Sequence, residues 1–229
     1  MVRRGPAFLP LAGERGRGRP GRYSRDQDTG SGQSRDAGPI RCRPADLLAT
    51  CAGTDFTARR DTAIIMLFLD GGLRLSELAG LQVADVDLRD RIVFVAGKAS
   101  RRSGPRHRTV PLGVKAARAL DRYLRERRRH PFADTLRLWL GSRGRPTLDA
   151  DGVKAMLKRR GADAGISDLH PHAFRHTWAH AFRAAGGNEG DLMLLGGWRS
   201  RAMLDRYGKA VAADRAAEAY RRLSLGDRI

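Results

Sequence analysis

Residues 169–180 read LHPHAFRHTWAH and hold four of the chain's six histidines: His170, His172, His176 and His180. On a helix, His172, His176 and His180 recur every fourth residue and share one face, a spacing that zinc sites use. Arg175, three residues after His172, falls on nearly the same face, and a fixed cation beside a dication is electrostatically costly. Arginine suits an anion. The stretch therefore poses a choice between a metal and a phosphate, which the rest of the chain has to make.

Composition leans toward the phosphate. The chain has 229 residues, 41% hydrophobic and 6% aromatic, enough for one ordinary domain with a buried core and some length to spare. Its formal net charge of +19 and pI of about 11.4 exceed what solubility requires and point to a polyanionic partner, nucleic acid first. The longest apolar run, AIIMLFL at 63–69, falls far short of the roughly 20 residues a membrane span needs. The N-terminus lacks the sustained apolar core of a signal peptide, so a cytoplasmic, nucleoid-associated protein is expected. Cys42 and Cys51 form no CxxC and no disulfide framework, and read as free thiols. The basic residues comprise 39 arginines and five lysines, and Lys98 is the only lysine before position 115. Lysine can release a proton near neutral pH and arginine cannot, so a lysine kept in so arginine-rich a chain marks a place where proton transfer is a candidate role.

Residues 1–43 are rich in Gly, Pro, Arg and Ser, with no apolar periodicity, and are expected to be a disordered basic tail. A domain then runs over 44–229. PADLLATC starts a helix at Pro44, and TARRDTAIIMLFLDGG reads as a longer, largely buried one ending at Gly71 and Gly72. A short helix is expected over Ser76–Leu81. The alternating, β-branched segment VDLRDRIVFVAGKASRRSGPRHRTVPL then predicts two or three short strands with Lys98 at or near a turn. Everything after Gly113 looks helical, including VKAARALDRYLRERRRH, DADGVKAMLKRRGADAG, the histidine stretch, NEGDLMLLGGW, SRAMLDRYG and a last helix from Ala212 to Leu223. The expected fold class is mixed α/β, mainly α-helical with a small antiparallel sheet, neither doubly wound nor a bundle.

Several short motifs line up along this frame. GLRLSEL places Arg74 after a Gly-Gly break and Glu77 one helical turn later, and VAGKAS places Lys98 on the hairpin. HAFRH supplies His172 and Arg175, LGGW supplies Trp198, and DRYG supplies Tyr207. In this order and spacing the set resembles the catalytic domain of the tyrosine recombinase (phage integrase) family over roughly residues 44–229. The family's order is Arg, Lys, His-x-x-Arg, His or Trp, and Tyr. Trp198 stands where His is the more frequent family residue. The basic tail stands where family members usually carry a helical core-binding domain.

The resemblance implies an enzyme that cuts and rejoins double-stranded DNA through a 3′-phosphotyrosine, in site-specific recombination or integration, with no cofactor and no metal. The alternative is a truncated DNA-binding remnant without autonomous activity. Under that resemblance Arg74 and Arg175 bind the non-bridging phosphate oxygens, whose negative charge grows during attack. Tyr207 is the nucleophile, and its ordinary pKa near 10 calls for a proton acceptor, for which His172 is the candidate. Lys98 protonates the departing 5′ oxygen. Trp198 offers an indole N–H and a flat packing surface, and Glu77 orients its neighbours. The family also implies assembly of a tetramer on DNA through the C-terminal helix. Tyr123 and Tyr220 read as structural, and His176 and His180, without an HExxH pattern, as a helix face near the site.

Overall fold

Asp55 starts the helix on which the rest is assembled. Its side chain accepts hydrogen bonds from the backbone N–H groups of Thr57 and Ala58, at 2.9 and 3.0 Å, and α2 runs from there over Phe56–Gly71. The helix is apolar nearly all round, with Ala63, Ile64, Ile65, Leu67 and Phe68 fully buried, which is the pattern of a central element. It ends where Gly72 takes a left-handed backbone, φ 54°. The computed structural model describes residues 40, 43–97, 107–142, 144–198, 200 and 220–221. Lys98, Tyr207, Cys42, the expected tail apart from Ile40 and Arg43, the SRAMLDRYG segment apart from Ser200, and most of the last helix lie outside the described residues; the Ile40 N–H donates to Thr177 Oγ1 at 2.8 Å.

Around α2 the chain lays down α1 (Pro44–Ala49), with a proline at its start, and α3 (Leu75–Gly80). A single 3₁₀ turn over Val83–Asp85 leads into the sheet. Its strands β1 (Val86–Asp87), β2 (Ile92–Ala96) and β3 (His107–Pro111) are antiparallel in the order β1-β2-β3, with Val93 opposite Val110 and Val95 opposite Arg108. Val93, Val95 and Val110 turn inward, while Phe94 and Thr109 face out. Four helices follow: α4 (Val114–Arg127), α5 (Ala150–Asp163), α6 (Pro171–Ala184) and α7 (Glu189–Gly196). Helices α4 and α6 pack on α2, and the Phe68 and Phe174 rings stack with centroids 5.3 Å apart. The expected fold class is the observed one. Among the described residues no helix is long and apolar enough to cross a membrane.

One expectation needs correction. The chain is not helical throughout after Gly113: residues 128–142 and 144–149, between α4 and α5, form turns, bends and irregular backbone, with an isolated antiparallel bridge from Arg137 to Gln82. Buried Arg127 holds this loop by donating to the carbonyls of Ala133, Thr135, Arg137 and Leu138. The apolar run LRLWL is drawn across α3, where Trp139 Nε1 donates to Leu78 O at 2.8 Å and Leu138 N donates to Leu81 O at 2.9 Å. Tyr123 Oη donates to Leu138 O and accepts from Leu140 N, and burial pushes its pKa up to about 12. The reading of Tyr123 as structural holds. The free thiol of Cys51 is buried as well.

Candidate active site

Glycine, arginine and tryptophan build the site together. At Gly72 the chain turns sharply because no side chain intervenes, and a Cβ there would lie 2.2 Å from Trp178 Cε3 of α6. This close approach sets the distance between the end of α2 and α6. Arg175, on the same helix as Trp178, is only 3% exposed, and its Nη1 donates to Gly72 O at 2.5 Å. Its Nη2 donates to Gly196 O, also at 2.5 Å, and its Cζ lies 4.1 Å from the centroid of the Trp198 ring. Trp198 is buried and stacks on Trp178 at 5.9 Å. Gly196 permits this, since a Cβ there would lie 2.4 Å from the Trp198 ring.

Arg74 precedes α3 in an extended backbone, and its own N–H donates to Glu77 Oε2 at 2.8 Å. Its side chain, 39% exposed, donates from Nη1 to Glu77 Oε1 at 2.8 Å and from Nη2 to Gly197 O at 3.3 Å. Glu77 has a second arginine partner that sequence reasoning missed. Arg108 of β3 donates from Nη1 and Nη2 to the two Glu77 oxygens, each at 2.8 Å, and from Nε to Leu195 O at 2.8 Å. Burial by itself would raise the Glu77 pKa, but the hydrogen bonds and charge of Arg108, followed by the bonds from Arg74, hold it down at about 2.

Three successive carbonyls at the end of α7 thus receive three different arginines: Leu195 from Arg108, Gly196 from Arg175, and Gly197 from Arg74. A helix C-terminus presents unpaired carbonyls and partial negative charge, so it is a natural hub for cations. It holds guanidinium groups from three elements around one small volume. Such a cluster concentrates positive charge, and arginine forks match phosphate oxygens in geometry.

His172, in the first turn of α6, is exposed overall. The water its ring has lost, then the charges of His170 and Arg175, bring its pKa below the ordinary 6.5. Among the described residues no group of three or more His, Cys, Asp or Glu is placed to hold a metal ion, and the α6 histidines form none. The structure therefore brings together Arg74, Glu77, Arg175 and Trp198, with His172 one turn from Arg175 on the same helix.

Known proteins are similar to this chain in sequence and share its fold. The chain is 39% identical over 137 residues to tyrosine recombinase XerC of Pseudomonas fluorescens, covering 60% of this chain and 44% of that one. It is 34% identical over 173 residues to tyrosine recombinase XerC of Corynebacterium efficiens, covering 76% and 53%. It spans about half the length of these curated relatives. The crystal structure of XerA recombinase superposes with a TM-score of 0.67 at 25% identity, over 82% of this chain and 66% of that one. The fold is shared with the Tn1549 transposon integrase, solved in complex with circular intermediate DNA, at a TM-score of 0.64 and 23% identity over 82% and 67%. The sequence model of the phage integrase family matches residues 45–213, most of the domain that carries the arginine cluster, and the chain belongs to that family.

Proposed function

We propose that this chain is the catalytic part of a site-specific DNA recombinase or integrase, which cleaves and rejoins double-stranded DNA through a covalent 3′-phosphotyrosine. The observation that carries the reading is the convergence of Arg74 and Arg175 on the end of α7, beside the indole of Trp198. Two fixed guanidinium groups stabilise the charge that builds on a phosphodiester under attack. Arg74, the more exposed, is the one a backbone phosphate reaches first. His172, whose lost water and cationic neighbours favour its neutral form, can accept the proton of Tyr207. Lys98 supplies the proton to the 5′ oxygen, and Glu77 keeps Arg74 in place.

The net charge of +19 supports a DNA partner bound largely through its phosphates. Assembly into a tetramer on DNA through the C-terminal helix belongs to the same reading, and the exposure of Tyr220 leaves that side chain available to a second copy. The test uses a pool of nicked duplexes with randomised sequence around the nick, incubated with the chain in EDTA. The nicked strand's short fragment diffuses away after cleavage and traps any covalent adduct. Adduct that resists denaturation is the expected result. Retarded DNA with no adduct under any condition would favour a binding remnant.

A further inference from the structure

We propose that Arg108 is a positioning residue for phosphodiester cleavage, holding from β3 both of the supports on which the Arg74 side chain rests. This rests on the function proposed above. The Arg74 guanidinium has two anchors, Glu77 Oε1 at 2.8 Å and Gly197 O at 3.3 Å. Arg108 grips the first directly, with a fork of two 2.8 Å bonds to the Glu77 carboxylate. It grips the second through Leu195 O, two residues before Gly197 in the same turn, and its Cδ and Nη1 lie 3.5 Å from the position a Gly197 Cβ would occupy. All three nitrogens of the Arg108 guanidinium are thereby committed to the protein.

Depth separates the two arginines. The Arg108 side chain is 12% exposed against 39% for Arg74, so Arg74 meets the phosphate and Arg108 sets where it stands. Glu77 Oε1 accepts from Arg74 Nη1 and Arg108 Nη1, and Oε2 from the Arg74 N–H and Arg108 Nη2, so the four acceptor positions of the carboxylate are filled. Removing the Arg108 fork would leave the carboxylate free to rotate and carry Arg74 with it. The placement has a second effect. Arg108 stands opposite Val95 on the hairpin whose first strand ends at Ala96, two residues before Lys98. Arg108 therefore ties the hairpin that bears the candidate proton donor to the turn that gathers the phosphate-binding arginines.

The critical variant is Arg108→Lys, which keeps a charge near Glu77 but has one nitrogen where the fork has three. Two measurements are made on the full chain. The first is NMR without DNA, following the Arg74 side-chain N–H signals and the titration of the Glu77 carboxyl. The second is the rate of adduct formation at saturating concentrations of the randomised nicked duplexes, alongside the dissociation constant for the same pool. In Arg108→Lys the Arg74 signals become mobile and the Glu77 carboxyl titrates higher. The cleavage rate falls roughly 10- to 100-fold, the effect of a small misplacement of a reacting group, with DNA affinity changed less than threefold. In chains carrying Glu77→Gln, adding Arg108→Lys causes little further loss, because both act through one contact.

Immobile Arg74 signals in Arg108→Lys, or loosened signals with an unchanged cleavage rate, overturn the proposal. If the wild-type chain forms no adduct, the proposed function fails by itself, and the Arg74 signals alone decide whether Arg108 positions Arg74. Should Arg108→Lys not fold, Arg108→Gln, which removes the fork and leaves the Glu77 carboxylate in reach of Arg74, is measured in its place against the same outcomes.

Discussion

Replacing Glu77 by glutamine keeps the shape of the side chain and removes its charge, turning one acceptor into an NH2 group that faces donors of Arg108 and Arg74. The wild-type carboxyl titrates at about 2 in the fold against an ordinary 4.5. At roughly 1.4 kcal/mol per pH unit, that difference contributes about 3 kcal/mol to stability. Because the folded pKa is the depressed one, the contribution is fully present above about pH 5 and is lost as the pH falls toward 2. The side chain is 6% exposed, so solvent screening reduces the figure little. Breaking the pair by Glu77→Gln is expected to cost about 3 to 5 kcal/mol at pH 7, since Arg108 is left half-buried without its counter-charge. The assay is urea unfolding of both chains from pH 7 to pH 2, taking the difference between them so that the other carboxylates cancel. The gap is expected to narrow by about 3 kcal/mol across that range, most of it below pH 4.5. A gap that stays constant with pH would refute the view that Glu77 is held ionised by the arginines.

Gly72→Ala is expected to destabilise the chain by about 2 to 4 kcal/mol in the same assay, combining a left-handed backbone with a methyl pressed into Trp178; a cost under about 0.5 kcal/mol would show that the approach of α2 to α6 is loose. Tyr123, its pKa pushed up to about 12, should give an ionisation step near that pH in a spectrophotometric titration that disappears in Tyr123→Phe, and Tyr123→Phe should cost about 1 to 3 kcal/mol through the unpaired Leu140 N–H. Because its lost water and the charges of His170 and Arg175 lower the His172 pKa, the acid-side fall of adduct formation at saturating DNA should lie below the ordinary histidine range, and a fall above that range that disappears in His172→Gln would contradict His172 as the acceptor.

Much of this arrangement was legible before any coordinates. The end of α2 could be read because only glycine adopts the left-handed turn at Gly72 without cost, and the placement of Arg74 follows from that break. Helix α6 could be read from its starting proline and its apolar spacing. The loop over 128–149 could not, because its LRLWL run has the apolar content of a buried helix. What keeps it irregular is the guanidinium of Arg127, the last residue of α4, which reaches forward to satisfy four of its carbonyls. Arg108 was hidden among the other arginines of ASRRSGPRHRT. The available signal was strand alternation, which puts Arg108 in phase with the inward Val110 and out of phase with the exposed His107 and Thr109. An arginine on the buried face of a strand needs a carboxylate, and Glu77 was the one already singled out.

If the arginine cluster serves a phosphotyrosine-forming reaction, cleaved DNA is left on one particular side chain, and identifying that residue is decisive. Adduct trapped on the nicked duplexes is digested with protease and nuclease, and the nucleotide-bearing peptide is sequenced by mass spectrometry. The expected peptide carries the 3′-phosphate on Tyr207, and neither Tyr207→Phe nor a chain lacking both Arg74 and Arg175 side chains yields it. A nucleotide linked to Tyr220 or to any residue other than Tyr207, or adduct that persists in Tyr207→Phe, would contradict the account.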